Sequence, residues 1–311
     1  MTKNNKVLIL FSGGLDSILV VKMLQKQKLN LVGLTFTSYF FDAKQAKKAA
    51  KELKLELRVI DVAKEHLALV EKPKHGYGKN MNPCLDCRIL MLRQARKIMA
   101  EEDFDFVVTG EVLKERPMTQ SKPSMKLVEK EAGLQGFLLR PLSAKLLQIT
   151  IPEEEKWIDR NKLEGIVGRS RKKQMKLAEK YKLKDYPNPA GGCLLTDPEF
   201  SLKLKKLLTF KSCLVEKDIE LLRNGRQFFQ EGVWLVIGRN EKEDKKIKNL
   251  TRKGDFLIEM ENYPGPVILG HNLKAKQKTF IAQIEEAKKI IIRYSTKAQS
   301  KKDIKFKIIQ K

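Results

Sequence analysis

One hexapeptide, Ser12-Gly13-Gly14-Leu15-Asp16-Ser17, constrains the fold of this 311-residue chain more than any other stretch. It follows the apolar run Lys6 to Phe11, which reads as a buried parallel strand, and it precedes Ile18 to Leu24, which reads as the first turns of a helix. The predicted order is strand, glycine-rich turn, helix. Such a turn aims backbone N–H groups and the positive end of a helix dipole at one point. The hydroxyls of Ser12 and Ser17 join them, a combination suited to phosphate. Gly13 and Gly14 permit positive φ and close approach of a ligand. Asp16 does not bind phosphate directly, but it can hold Mg2+ or orient the loop. No Gly-Lys-Ser/Thr follows, so this is not the lysine-bearing phosphate loop of kinases and GTPases.

The pattern after the loop extends a parallel sheet. Residues 29–41 read as a second strand, 42–54 as a helix with Ala and Lys at helical spacing, and 55–62 as a third strand. Two βα units in so short a span predict a doubly wound α/β sheet. Ligands of such sheets bind at the carboxyl ends of the strands, which makes Thr35 and Phe36 candidates to border an adenine. Phe104 to Gly110 reads as a further strand whose end places Gly110 and Glu111 at the same edge, with Arg116 and Gln120 as candidates for phosphate or substrate contact. Leu138 to Leu142 reads as the last strand of this domain.

Cys84 and Cys87 form a Cys-x-x-Cys pair where a Gly/Asn/Pro loop enters a helix predicted from about Arg88 to Glu101. Two thiolates at such a turn converge on one ion, and a helix N-terminus lowers thiol pKa. Alone the pair leaves redox, zinc and cluster chemistry open. Cys193 lies in a Pro/Gly loop over 186–197 and is well placed to return to the Cys-x-x-Cys loop. Cys213 reads as a plain helix residue.

The formal net charge is +25, which argues for a polyanionic partner. No apolar run reaches the roughly 20 residues that span a bilayer, and Lys3 and Lys6 lead at once into the first strand. A cytoplasmic protein with a nucleic-acid partner and no membrane role is expected. Between Lys156 and Lys184 eleven Lys or Arg face three acids, a basic helix in which Arg169, Arg171, Lys172 and Lys173 are candidates for phosphate-backbone contact. After Asp197 the sheet rhythm changes to short strands, predicting a smaller α+β domain over 198–311 beside a catalytic domain over 1–197. Arg226 and Arg239 are its candidate RNA contacts, and twelve basic residues against three acidic ones from Lys274 to Lys311 read as a basic tail.

Three features together, the SGGLDS loop, Pro83-Cys-Leu-Asp-Cys87 and Pro189-Ala-Gly-Gly-Cys193, resemble the tRNA thiolation branch of the PP-loop ATP pyrophosphatase superfamily, a Rossmann-like, HUP-like fold. Residues 1 to about 195 resemble its ThiI-like and MnmA-like catalytic domains. Thr109-Gly-Glu-Val-Leu113 and Arg116-Pro-Met-Thr-Gln120 strengthen the ThiI-like side. Asn224-Gly-Arg-Gln-Phe228, Ile237-Gly-Arg-Asn240, Gly254-Asp255 and Pro264-Gly-Pro266 are similar to the RNA-binding domain of NFACT proteins. The resemblance implies ATP and Mg2+ at Ser12 to Ser17, adenylation of a tRNA uridine, and a [4Fe–4S] cluster on Cys84, Cys87 and Cys193. Persulfide chemistry and zinc remain alternatives at these cysteines. The implied catalytic residues are Asp16 and the same three cysteines. The ThiI-like segments favour 4-thiouridine at position 8 over 2-thiouridine at the wobble base. THUMP-like and rhodanese-like segments are not legible, which leaves tRNA positioning to the NFACT-like region and sulfur handling to the three cysteines. Inorganic sulfide or a cysteine desulfurase is the expected donor, and a homodimer is left open. An amidating ligase and a non-catalytic RNA-binding protein are the competing readings; iron and sulfide analysis separates the ligase from a thiolase, and the RNA-binding protein would bind tRNA but release no pyrophosphate.

Overall fold

The computed structural model describes residues 5–183, 186, 192–230, 232–272 and 277–311. Within it the chain divides into two compact units, Met1–Thr196 and Asp197–Lys311.

The first unit is a parallel sheet covered on both faces. Its strands are β1 (Lys6–Leu10), β2 (Asn30–Thr37), β3 (Glu56–Asp61), β4 (Phe106–Thr109) and β5 (Leu138–Leu139). They lie in the order β3-β2-β1-β4-β5, every pair parallel. The helices are α1 (Leu15–Gln25), α2 (Lys44–Leu53), α3 (Ala63–Glu71), α4 (Cys84–Glu101), α5 (Lys122–Ala132), the single turn α6 (Ile151–Glu154) and α7 (Lys172–Lys180). Side chains alternate across a strand, and β1 shows the consequence. Val7 and Ile9 enter a core with α1, α2 and α7, whereas Leu8 and Leu10 enter a second core with α4 and α5. Burial on both faces explains why β1 reads as a continuous apolar run. The strand order reverses at β1, so the carboxyl ends of β1 and β4 flank the switch point where doubly wound sheets bind ligands.

The second unit holds α8 (Pro198–Leu208), α9 (Glu216–Arg223), β6 (Arg226–Gln230), β7 (Val233–Ile237), α10 (Glu241–Asn249), β8 (Phe256–Met260), β9 (Ile268–Asn272), α11 (Gln277–Tyr294) and β10 (Phe306–Gln310). The sheet order is β10-β8-β9-β7-β6, all antiparallel. Val233, Leu235 and Ile237 of β7 pack with Phe256, Ile258 and Ile268 against Ala287, Ile290 and Ile291 of α11.

The structure corrects four expectations. The basic stretch 156–184 is α-helical only over Lys172–Lys180, with a single 3-10 turn at Arg160–Lys162; Gly165 and Gly168 lie between the two, and Gly168 takes φ +88°. Lys184 and residues 187–191 of the cysteine loop lie outside the described residues. Leu138–Leu142 shortens to a two-residue strand before Pro141 removes a donor. Cys213 is exposed and lies between α8 and α9, outside any helix. The basic tail ends in an edge strand, with Ile308 opposite Ile258 of β8.

Candidate active site

The glycine-rich loop is shaped by its contacts as well as by its freedom. Gly13 has φ +74°, and a Cβ there would stand 2.6 Å from the Gln45 carbonyl oxygen. A side chain is therefore excluded twice, by backbone conformation and by the approach of α2. A Cβ on Gly110, at the end of β4, would lie 2.9 Å from the Ser17 nitrogen, so β4 meets the first turn of α1 backbone to backbone. The hydroxyls knit the loop: Gly14 N donates to Ser12 Oγ at 3.3 Å and Ser17 Oγ donates to the Gly14 carbonyl at 2.8 Å. The first helical bond of α1 runs from Ile18 N to the Gly14 carbonyl at 3.0 Å. The N–H groups before it have no intrahelical acceptor, as at any helix start. A cavity of about 270 Å3 opens between α1 and α2, lined by Gly13, Ile18, Gln45, Lys48, Ala49 and Glu52.

Asp16 is half-buried, and its Oδ1 has no hydrogen-bond partner. Burial raises its pKa above the ordinary carboxylate value, opposed by the charges of Arg171 and Arg116 and by the Gln174 amide. Glu115 is raised too, by burial and by the charge of Asp16. Sequence reasoning placed Arg171 on RNA and did not single out Gln174 or Glu115. In the structure all three gather with Arg116 around Asp16.

Thr35 and Phe36 part company on adjacent faces of β2. Phe36 belongs to the core with Leu34 and α4, which corrects its expected place beside a base. Thr35 faces the other way and is 6% exposed. Glu111 is corrected as well. Its carboxylate accepts from Arg140 Nε at 2.9 Å and Thr109 Oγ1 at 3.0 Å and pairs with Arg88 Nε at 3.3 Å. Burial opposes its ionisation, but Arg88 and Arg140 outweigh burial and hold its pKa below the usual range. Glu111 is thus a buried link. It ties the end of β4 to Arg88, one residue beyond Cys87 on α4.

The Cys-x-x-Cys pair forms the first turn of α4, with Cys87 N donating to the Pro83 carbonyl at 2.9 Å. The segment after Cys193 is pinned to two loops: Leu194 N donates to the Phe40 carbonyl at 3.0 Å, and Asn80 Nδ2 to the Thr196 carbonyl at 2.8 Å. This brings Cys193 into electrostatic range of Cys84 and Cys87. Burial, then the charge of Cys193, pushes Cys87 up to about 12, and burial pushes Cys193 up to about 11. Burial also raises Cys84, opposed by Arg116 and Arg88. Among the described residues no three His, Cys, Asp or Glu side chains stand close enough to hold a metal ion. The donor set nevertheless suits a thiolate-ligated group: a cation among three thiols that repel each other's charge reverses that repulsion and favours the thiolates.

The predicted RNA contacts divide. Arg169, Lys172 and Lys173 are exposed, whereas Arg171 is half-buried with its Nε unpartnered. Arg226 is exposed, its guanidinium 4.6 Å from the centre of the Tyr294 ring. Arg239 is exposed but held by Glu243, Nη2 to Oε1 2.6 Å.

Residues 5–157 match the family described as tRNA methyl transferase HUP domain. The first unit has a HUP-type fold. Residues 225–311 match the NFACT protein RNA binding domain family. Among curated proteins, the tRNA-specific 2-thiouridylase MnmA 1 of Fusobacterium nucleatum is 28% identical over 115 residues, covering 36% of this chain and 32% of the relative. The tRNA-specific 2-thiouridylase MnmA of Karelsulcia muelleri is 23% identical over 243 residues, covering 73% and 60%. The chain thus spans less than two thirds of either curated relative. Among solved structures, the U34-tRNA thiolase NcsA of Methanococcus maripaludis with its [4Fe-4S] cluster is 20% identical with a TM-score of 0.35, covering 72% of this chain and 74% of the other. A predicted subunit of tRNA methyltransferase from Methanocaldococcus jannaschii is 23% identical with a TM-score of 0.33, covering 44% and 68%. The HUP domain and its companion contain no described helix long and apolar enough to cross a membrane.

Proposed function

We propose that this chain is an ATP-dependent tRNA thiolase. The reading is supported by one domain that carries a phosphate-suited loop and three thiols that raise one another's pKa, with Arg116 in electrostatic range of both Asp16 and Cys84. A kinase or ligase using the same loop has no need of that second chemistry. The matches to a tRNA methyl transferase HUP domain and to an RNA-binding domain support a tRNA substrate.

The loop from Ser12 to Ser17 binds the ATP phosphates through its N–H groups, and Asp16, whose Oδ1 lacks a partner, holds Mg2+. The uridine carbonyl oxygen attacks the α-phosphorus and pyrophosphate leaves. A sulfur nucleophile then adds to the activated carbon, and AMP departs with the original oxygen. Preorganised N–H donors stabilise the charge that develops on the phosphates. Cys84, Cys87 and Cys193 hold a [4Fe–4S] cluster, which when bound supplies the sulfur nucleophile. The target base is unstacked to reach the site, and Arg169, Lys172, Lys173 and Arg226 contact the tRNA backbone. Inorganic sulfide or a cysteine desulfurase is the sulfur source.

The ThiI-like segments at Thr109–Leu113 and Arg116–Gln120 favour 4-thiouridine at position 8. The named activity of the curated relatives favours the second reading, 2-thiouridine. Nucleoside mass spectrometry distinguishes them after unmodified tRNA is incubated anaerobically with reconstituted protein, ATP, Mg2+ and sulfide. A 4-thiouridine peak supports the first reading, and 2-thiouridine replaces it with the second. Absence of any thionucleoside, with no iron retained after reconstitution, removes the thiolase reading.

A further inference from the structure

Helix α7 carries one polar side chain turned inward. Lys172, Lys173, Lys176 and Lys180 are exposed, and Leu177 and Ala178 pack in the core shared with α1. Gln174, on the same inward side, is 0% exposed; its amide faces the Asp16 carboxylate, whose ionised form it favours, but neither its Oε1 nor its Nε2 closes a full hydrogen bond with any protein group. Buried amides are almost always paired. An unpaired amide that faces a carboxylate with an open oxygen is a place for a bridging group.

Two further orphans stand in the same place. Asp16 Oδ1 and Arg171 Nε are both buried without a partner. The backbone ahead of α7 is clipped to the loop after β4, with Gly168 N donating to the Leu113 carbonyl at 2.7 Å. That clip carries Arg171 and Gln174 to the phosphate loop and away from the solvent-facing lysines.

The four atoms define the chemistry of what they bind. Two are acceptors, Asp16 Oδ1 and Gln174 Oε1, and two are donors, Gln174 Nε2 and Arg171 Nε. A bare phosphate offers acceptors only and leaves both acceptors of the site unfilled. A base edge pairs with the amide and leaves Asp16 and Arg171 alone. A magnesium-bound phosphate satisfies all four: its oxygens accept from the two donors, and water in the ion's shell donates to the two acceptors, since Mg2+ keeps several waters. We propose that Arg171 and Gln174 are nucleotide-binding residues that complete, around Asp16, a site for a magnesium-bound phosphate group. The inference rests on the ATP reading above and moves Arg171 from the RNA surface to the nucleotide.

The test is calorimetric titration of the full chain with α,β-methylene-ATP, with and without MgCl2, beside filter binding of tRNA. Arg171→Ala and Gln174→Leu are each expected to weaken the magnesium-nucleotide complex at least tenfold. The loss shrinks when magnesium is omitted, and tRNA affinity stays within twofold. Unchanged nucleotide affinity in both variants overturns the proposal. So does a loss of tRNA affinity with nucleotide binding intact, which assigns the amide to a base. Should Gln174→Leu fail to fold by circular dichroism, the half-buried Arg171 decides alone. If the unaltered protein binds no magnesium nucleotide, the ATP reading itself falls. Tight binding that the variants leave untouched removes only this inference.

Discussion

The two sheets treat their buried carboxylates differently. In the second unit each has partners from its own chain. Asp218 accepts from Lys211 Nζ at 2.8 Å, Arg252 Nη2 at 2.7 Å and Val215 N at 2.8 Å, and Asp244 accepts from Val267 N at 3.0 Å. Asp255 accepts from Arg252 N at 2.8 Å and pairs with His271. In the first unit Glu111 is satisfied in the same way, but Asp16 is left with an unpartnered oxygen beside an unpartnered amide. Both arrangements follow one rule, that a buried charge needs a partner. The second unit closes its buried carboxylates into a scaffold. The first unit leaves Asp16 Oδ1, Arg171 Nε and the Gln174 amide open together, near the switch point of its sheet.

The contrast can be broken first at Glu111. Glu111→Ala leaves Arg140 and Arg88 without their shared carboxylate, and loss of one partner from a buried pair costs about 3–5 kcal/mol. Urea unfolding should show the loss in the first unit, and thiol labelling of Cys84 and Cys87 should quicken because α4 loses its tie to β4. Asp16→Ala should do the reverse. It should leave stability nearly unchanged or raised, since burial disfavours its charge, while pyrophosphate release falls about a hundredfold, on the order of 2.7 kcal/mol. A stability loss like that of Glu111→Ala would erase the distinction between the two carboxylates.

A pH dependence sharpens the comparison further. His66 is fully buried, its Nδ1 2.7 Å from Ser38 Oγ and its Nε2 unpartnered, and burial lowers its pKa to about 4. The unfolded chain protonates it near 6.5. The unfolded state therefore takes up the proton first, and stability, full above about pH 6.5, declines as pH falls towards 4 and then levels. The decline is on the order of 3 kcal/mol. Because His66 packs on Phe40, whose carbonyl holds Leu194, the cysteine loop should become protease-sensitive over the same window. A His66→Asn variant should lose that slope.

The smallest effect is expected on the second unit's surface. Arg226→Ala should weaken tRNA binding a few-fold and lower the salt slope by about one. Arg239→Ala should do less, because Glu243 already neutralises that guanidinium. Equal losses would show that Glu243 releases Arg239 on binding.

The parallel sheet, its glycine-rich turn and the break near Asp197 were legible because each rests on local pattern: apolar runs, punctuating glycines, a change of rhythm. Even so, α3, α5, α9 and α10 went unread: the charged turns of α5, α9 and α10 resemble connecting segments, and α3 follows β3 after a single residue with no capping signal. The tail strand was hidden in the same way. Phe306 to Gln310 reads as basic sequence, and only pairing with β8 makes it a strand. The cysteines were readable as a set, but what brings Cys193 to α4 is a pair of hydrogen bonds from residues more than 100 positions apart. Glu111 was misplaced for a plain reason. A charged residue in a sequence looks the same whether it faces water, a buried partner or a ligand. The sequence by itself determined the strand–turn–helix at Ser12 and the chemistry its residue types allow. Only the tertiary structure decided which charges are paired and which are left unpaired, because pairing is set by burial and by neighbours distant in the chain.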